Sequence, residues 1–197
     1  MTPKLCEPVI GLDVSKLSTG VVIVDAAALP ELDPKDFHRA VLHAVPWTMR
    51  AKATEQEYLL TSADRMFTLL RTPPKFVAFE QFAFGAQSLR NEVAMVTGVL
   101  RYTTLANLCQ YVCVSPMTVK KFAIPGVKQT ERTKEQMLKA VYKNFGFDVS
   151  THDIADAFVV AILAALTYNA VVKHQIQPDL NAAQLECIEA VKKVYPK

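Results

Sequence analysis

Apolar and polar positions divide the chain into short runs of two periods. "PVIGLDVS" (8–15) is an apolar run broken by Gly11 and Asp13, the pattern of a buried strand that ends in a polar site. "LSTGVVIVDAA" follows at hairpin distance, and its Ser18-Thr19-Gly20 reads as the turn. "ALPELDPKDF" (28–37) carries two prolines and reads as a loop. "HRAVLHAVPWTM" is a third strand, and Pro46 suits an edge position because proline cannot donate to a ladder. From Ala53 to about Arg71, Tyr58, Leu59, Ala63, Met66, Leu69 and Leu70 recur at helical spacing, and Pro73-Pro74 stops the helix. "KFVAFEQ" (75–81) is a strand, 88–108 a helix, and "YVCVSP" (111–116) a further strand. A short basic helix near 116–123, a Pro125-Gly126 loop and a helix over about 132–145 stopped by Gly146 come next. Helices over about 151–173 and 181–195 complete the chain.

Three strands in a meander, then helix, strand, helix, strand, predict an α/β fold. The expected architecture is a mixed five-stranded sheet, a three-strand meander plus two parallel strands, flanked by helices. No repeat or low-complexity tract divides the chain, so 1–197 reads as one domain with an extra C-terminal helix at about 181–195. Helix 88–108 is apolar on more than one side. Val93, Val96, Val99 and Leu100 form one face, while Ala94, Met95, Thr97, Gly98 and Thr103 leave few charges on the rest. Such a helix needs a second packing partner besides its sheet. That partner is either another copy of the chain, with Gly98 allowing close backbone approach, or the chain's own helix 181–195.

Charge changes the picture locally. The formal net charge is only +3, yet residues 120–143 hold Lys120, Lys121, Lys128, Arg132, Lys134, Lys139 and Lys143 against Glu131 and Glu135. A basic stripe on a near-neutral chain points to a polyanion partner. The four cysteines (Cys6, Cys109, Cys113, Cys187) form no CxxC pair and read as free thiols of a reducing compartment. The N-terminus has no signal-peptide pattern, and the uncharged stretch 157–172 is short for a membrane span. These features suggest a soluble, cytoplasmic protein.

The acids carry the chemistry. "THDIADAFVVAILAAL" (151–166) opens a core-type helix with Asp153 and Asp156 three residues apart, on one helical face. Capping accounts for Asp153, with Ser150 as N-cap and Asp153 at the third helical position, but not for Asp156. Asp13 and Glu80 each sit in an apolar strand run with no basic residue nearby, and a buried unpaired carboxylate is costly. Helix 54–71 makes their strands plausible parallel neighbours. Asp13, Glu80, Asp153 and Asp156 converging without local counter-charge form a divalent-metal pattern. Its oxygen ligands favour Mg²⁺ or Mn²⁺, two ions of which suit phosphodiester hydrolysis.

"GLDVSKLSTGVVIVD", "FVAFEQFAFG", "VKKFAIPGVKQTERTKEQM" and "DIADAFVVAI" together resemble RuvC-type Holliday-junction resolvases of the RNase H-like nuclease superfamily, over roughly residues 8–170. The resemblance implies an RNase H-like fold, a homodimer, and Mg²⁺-dependent, structure-selective cutting of four-way DNA junctions in recombination and repair. It also implies that Asp13, Glu80, Asp153 and Asp156 are the metal carboxylates and that Lys120 and Lys134 lie near the scissile phosphate. Lys121, Lys128 and Arg132 are expected backbone-phosphate contacts. Phe82 and Phe84 are candidate wedges against unpaired bases, with burial in the core as the competing reading. The chain departs from the family where Pro-Gly often follows the first Asp and here Val14-Ser15 stands, and in the stretches 29–37 and 175–197.

Three other readings compete. "GLDVSKLSTG" also resembles the first phosphate loop of actin-like and sugar-kinase ATPases, but six glycines and one domain's length do not make their second loop and second lobe. A nuclease acting on RNA–DNA hybrid or other branched DNA shares the carboxylate pattern. A non-catalytic junction-binding protein would not need four acids.

Overall fold

The computed structural model describes residues 6–15, 18–50, 52–81, 87–128, 133–149 and 151–196. Strands β1 (Pro8–Val14), β2 (Ser18–Asp25), β3 (Val41–Thr48), β4 (Phe76–Glu80) and β5 (Tyr111–Val114) form one sheet in the order β3-β2-β1-β4-β5. The first three make an antiparallel meander, and β4 and β5 add in parallel to β1. This is the mixed five-stranded sheet expected from the sequence, with the Pro46 strand at an edge.

Alternation along the strands sorts side chains onto two faces. Val9, Val22, Val24, Phe76, Ala78, Val112 and Val114 belong to one buried cluster, and Ile10, Leu12, Val14, Val21, Val77 and Phe79 to the other. Helices α1 (Glu55–Leu69) and α2 (Gln87–Ala106) pack on each other and cover the second face. Helix α5 (His152–Val172) covers the first, with α3 (Pro116–Ala123), α4 (Lys134–Phe145) and α6 (Ala182–Lys192) packed around it. Helix α5 is long and apolar enough to cross a membrane, but 83% of its most apolar window is buried inside the fold.

Four local expectations change. Ser18, Thr19 and Gly20 are the start of β2, paired with Thr48, Trp47 and Pro46, so they are strand and not turn. The stretch 28–37 is not plain loop. It forms 3₁₀ turns at Leu29–Glu31 and Pro34–Ala40, the second capped by Asp33 accepting from the Lys35 amide and anchored by buried Phe37 stacked on Phe145. That turn delays β3 to Val41. At the start of α5 the N-cap is Thr151, whose hydroxyl accepts from the Ile154 amide at 3.4 Å, and Ser150 lies outside the described residues. Lastly, α6 packs on α3 and α5, across the sheet from α2, so it does not supply the second cover of α2.

Two glycines set how closely α5 lies on the sheet. A Cβ on Gly11 would stand 2.4 Å from the Ala157 carbonyl oxygen and 2.4 Å from the Ala161 amide nitrogen. One on Gly20 would stand 1.9 Å from the Asp153 carbonyl oxygen. These are backbone atoms, so relief requires the helix itself to move. Gly11→Ala is expected to destabilise the fold by about 1–3 kcal/mol through overpacking, read as a lower urea midpoint with unchanged slope. An unchanged midpoint would contradict the close approach.

Candidate metal centre

Period two places Asp13 on the Val9 and Gly11 side of β1, and Glu80 on the Phe76 and Ala78 side of β4, so both point at α5. The β1–β4 register pairs Leu12 with Phe79, which leaves Asp13 and Glu80 side by side at the next position along two parallel strands. Across the other edge of β1, Asp13 pairs with Gly20, and the missing side chain of Gly20 admits the first turn of α5. That turn carries Asp153 and, one step on, Asp156. One carboxylate oxygen each from Asp13, Glu80 and Asp156 lie within 4.8 Å of one another. Asp153 lines the same cleft but stands outside this trio.

The cleft holds about 320 Å³ and is open to solvent, so the three acids are half-buried at its floor. Lys120 from α3 and Lys134 from α4 line its wall. Among the described residues neither forms an ion pair with the acids. Lys121, one residue along α3, instead pairs with Glu186 on α6. Lys128 is exposed in the loop after α3. Arg132, Phe82 and Phe84 lie outside the described residues. Ser15, Gln81, Val93, Pro116 and Met137 also line the cleft. The sequence reading did not assign them to the site, although Ser15 and Gln81 follow the two strand acids within two residues. The Tyr58 hydroxyl of α1 donates to the Ser15 carbonyl at 2.6 Å and so ties the end of β1 to the helix behind it.

No protein-family model matches the chain, and no curated protein matches it by sequence. Solved structures do match. Thermus thermophilus RuvC in complex with Holliday junction substrate aligns at TM-score 0.64 and 19% identity, over 84% of this chain and 96% of that one. A second Thermus thermophilus RuvC structure aligns at TM-score 0.62 and 19% identity over the same shares. The chain has the RuvC fold. A fowlpox virus resolvase, solved with its Holliday junction DNA, aligns at TM-score 0.49 and 10% identity, over 80% of this chain and 96% of that chain.

On this RuvC scaffold the acids are electrostatically frustrated. Burial pushes the Asp13 carboxyl up, the charge of Asp156 pushes it further, and a hydrogen bond with Glu80 pulls it back. Glu80 is raised as well, by burial and then by the charges of Asp13 and Asp156, so the hydrogen-bonded Asp13–Glu80 pair keeps a proton that isolated carboxylates would lose. Burial raises Asp156 to about 6 against the opposing pull of Lys120, Lys134 and His152. Asp156 Oδ1 is buried with no hydrogen-bond partner among the described residues. Three hard oxygen donors, one of them unpartnered, that keep protons because positive charge is short are suited to a divalent cation.

The sign of the pH effect follows. The unfolded chain releases the Asp156 proton near pH 4, the folded one only near pH 6, so in EDTA stability contributed by this group falls as pH rises through that window. Asp156→Asn should therefore be more stable than the parent in EDTA at pH 8 by roughly 1–3 kcal/mol, with the difference vanishing below pH 4. Thermal melts across pH check this. A variant less stable than the parent at pH 8 would show that Asp156 is already compensated within the protein.

Proposed function

We propose that this chain is a metal-dependent, structure-selective DNA endonuclease that resolves four-way junctions by paired phosphodiester hydrolysis. The observation that carries the reading is the trio of carboxylates, without ion pairs among the described residues, at an open cleft whose wall bears two lysines. The RuvC of the structural comparison was solved on a Holliday junction. Asp13, Glu80 and Asp156 would hold Mg²⁺, with Mn²⁺ as a substitute, and Asp153 would support a second ion from the same cleft. Bound divalent cations supply an activated water and charge stabilisation at the leaving oxygen. Lys134 and Lys120 neutralise charge that develops on the phosphate, from a cleft wall close enough to act on the acids without forming an ion pair with them. Lys121, Lys128 and Arg132 add backbone contacts farther out, and Phe82 or Phe84 stacks on bases at the junction centre.

Cutting two strands in register needs two cleavage centres related by a two-fold axis, which a homodimer provides. The α2 face is its interface in this reading. Among the described residues, and apart from the adjoining backbone of α2 itself, nothing lies within 4 Å of a Cβ on exposed Gly98, and Tyr102 and Leu105 on the same stripe are 72% and 55% exposed.

Two outcomes are expected. Incubated with Mg²⁺, the protein cuts a mobile four-way junction in preference to matching duplex or RNA–DNA hybrid, and EDTA stops it. Glu80→Gln and Asp13→Asn each lower the cleavage rate by about 10³-fold or more while junction affinity holds or rises. Near-normal cleavage by either variant, or equal cutting of all three substrates, would sink the reading. The wild type should also sediment as a dimer at micromolar concentration and Gly98→Arg as a monomer that nicks one strand without its partner. A monomeric wild type that cuts both strands in concert would contradict the two-fold arrangement.

A further inference from the structure

A second basic cleft lies outside the carboxylate site. It holds about 490 Å³ at the β3–α1 connection, and Thr48, Met49, Arg50, Lys52, Glu57 and Arg65 line it. Sheet register puts it at the same end of the fold as the acids. Asp13 pairs with Gly20, Gly20 pairs with Pro46, and Thr48 is two residues farther along β3, which runs parallel to β1. Two strand spacings, about 10 Å, separate β3 from β1.

Cations outnumber carboxylates in this cleft three to one, and Glu57, the carboxylate that lines it, feels the charge of Arg50. Among the described residues no carboxylate pairs with Arg50, Lys52 or Arg65. The acid present, Glu57, is committed to the start of α1, where its carboxylate accepts from the Thr54 amide at 2.8 Å and the Thr54 hydroxyl at 3.0 Å. Arg65 is held in place: its Nη1 donates to the Thr48 carbonyl at 3.2 Å and lies 3.8 Å from Met49 Sδ. One guanidinium edge is thereby anchored to the end of β3, and a planar donor fork fixed in this way fits phosphate oxygens. Arg50 and Lys52 are exposed beside it. Three cations gathered in a concave site repel one another unless an anion joins them.

We propose that Arg50, Lys52 and Arg65 form a second backbone-phosphate site, which grips the nucleic acid on the β3 side of the acids while Lys120 and Lys134 flank them from the α3–α4 side. The inference rests on the nuclease reading and extends its substrate footprint. A strand crossing the acids would continue over the end of β2 to this cleft. Contacts of this kind fix register and contribute to affinity without reading sequence.

Binding to a synthetic four-way DNA junction in EDTA, followed by fluorescence anisotropy across a salt series, tests it. The double variant Arg50→Ala/Lys52→Ala leaves the packed Arg65 untouched and should fold normally. Its affinity should fall about tenfold at physiological salt, and the slope of log K against log salt should lose about 1.8, or 0.9 per phosphate released. Arg65→Gln should lose about half that slope. The control Lys35→Ala/Arg39→Ala removes the same charge at the opposite end of β3, and should keep the parent slope. A double variant with the parent's affinity and slope would overturn this site alone. So would a control that falls as far, because the effect would then be one of net charge. A wild type that binds no DNA in the same assay would overturn the nuclease reading and this site with it.

Discussion

The close approach of α5 to the β1–β2 hairpin is the constraint on which the candidate site depends. Gly11 and Gly20 remove the side chains that would hold the helix away, and Ala157 and Ala161 present little of their own. The strand acids and the helix acid are thus brought within 4.8 Å by backbone packing. Asp13 and Glu80 share a hydrogen bond, but the charge of Asp156 acts against both. The apolar cluster that joins Val9, Val22, Phe76 and Ala78 to the buried length of α5 supplies the opposing stabilisation.

That arrangement converts folding energy into a binding site. Three carboxylates in partial burial must keep protons or take up positive charge, and the raised titration of all three reports the shortage. Lys120 and Lys134 ease the shortage for Asp156 without closing an ion pair, which leaves the oxygens available to a ligand. A site that destabilises its own empty state is the physical form a stability–function trade-off takes. The second cation group at Arg50, Lys52 and Arg65 belongs to the same end of the sheet, so basic side chains flank the acids on two sides without replacing their missing counter-charge.

Much of this was legible in the sequence, for identifiable reasons. Asp13 and Glu80 stood out because an acid inside an apolar strand run has few explanations, and period two then points both to one face. Asp153 and Asp156 were both read as metal carboxylates, with capping as a competing role for Asp153 alone, and the trio includes only Asp156. Spacing of three assigns a shared helical face but not which residue faces the strands. The α5 cap was read one residue early because Ser150 and Thr151 are both competent caps, and backbone geometry chooses between them. The 3₁₀ turns at 29–40 were hidden because their stabilisation comes from buried Leu29 and Phe37, a tertiary effect. The location of α6 across the sheet from α2 was equally hidden, since an amphipathic pattern does not say which face of a sheet receives it. Gly11 was readable in retrospect: a glycine two residues before a strand acid marks where a helix must come close.

Calorimetric titration of the purified protein with Mn²⁺ near neutral pH, repeated in buffers of different ionisation enthalpy, tests the central claim most directly. If Asp13, Glu80 and Asp156 form one frustrated site, the ion displaces the protons that they hold, so binding is accompanied by release of about one proton or more and is lost in Glu80→Gln. Absence of binding, or binding with no proton release and no dependence on Glu80, would contradict the account.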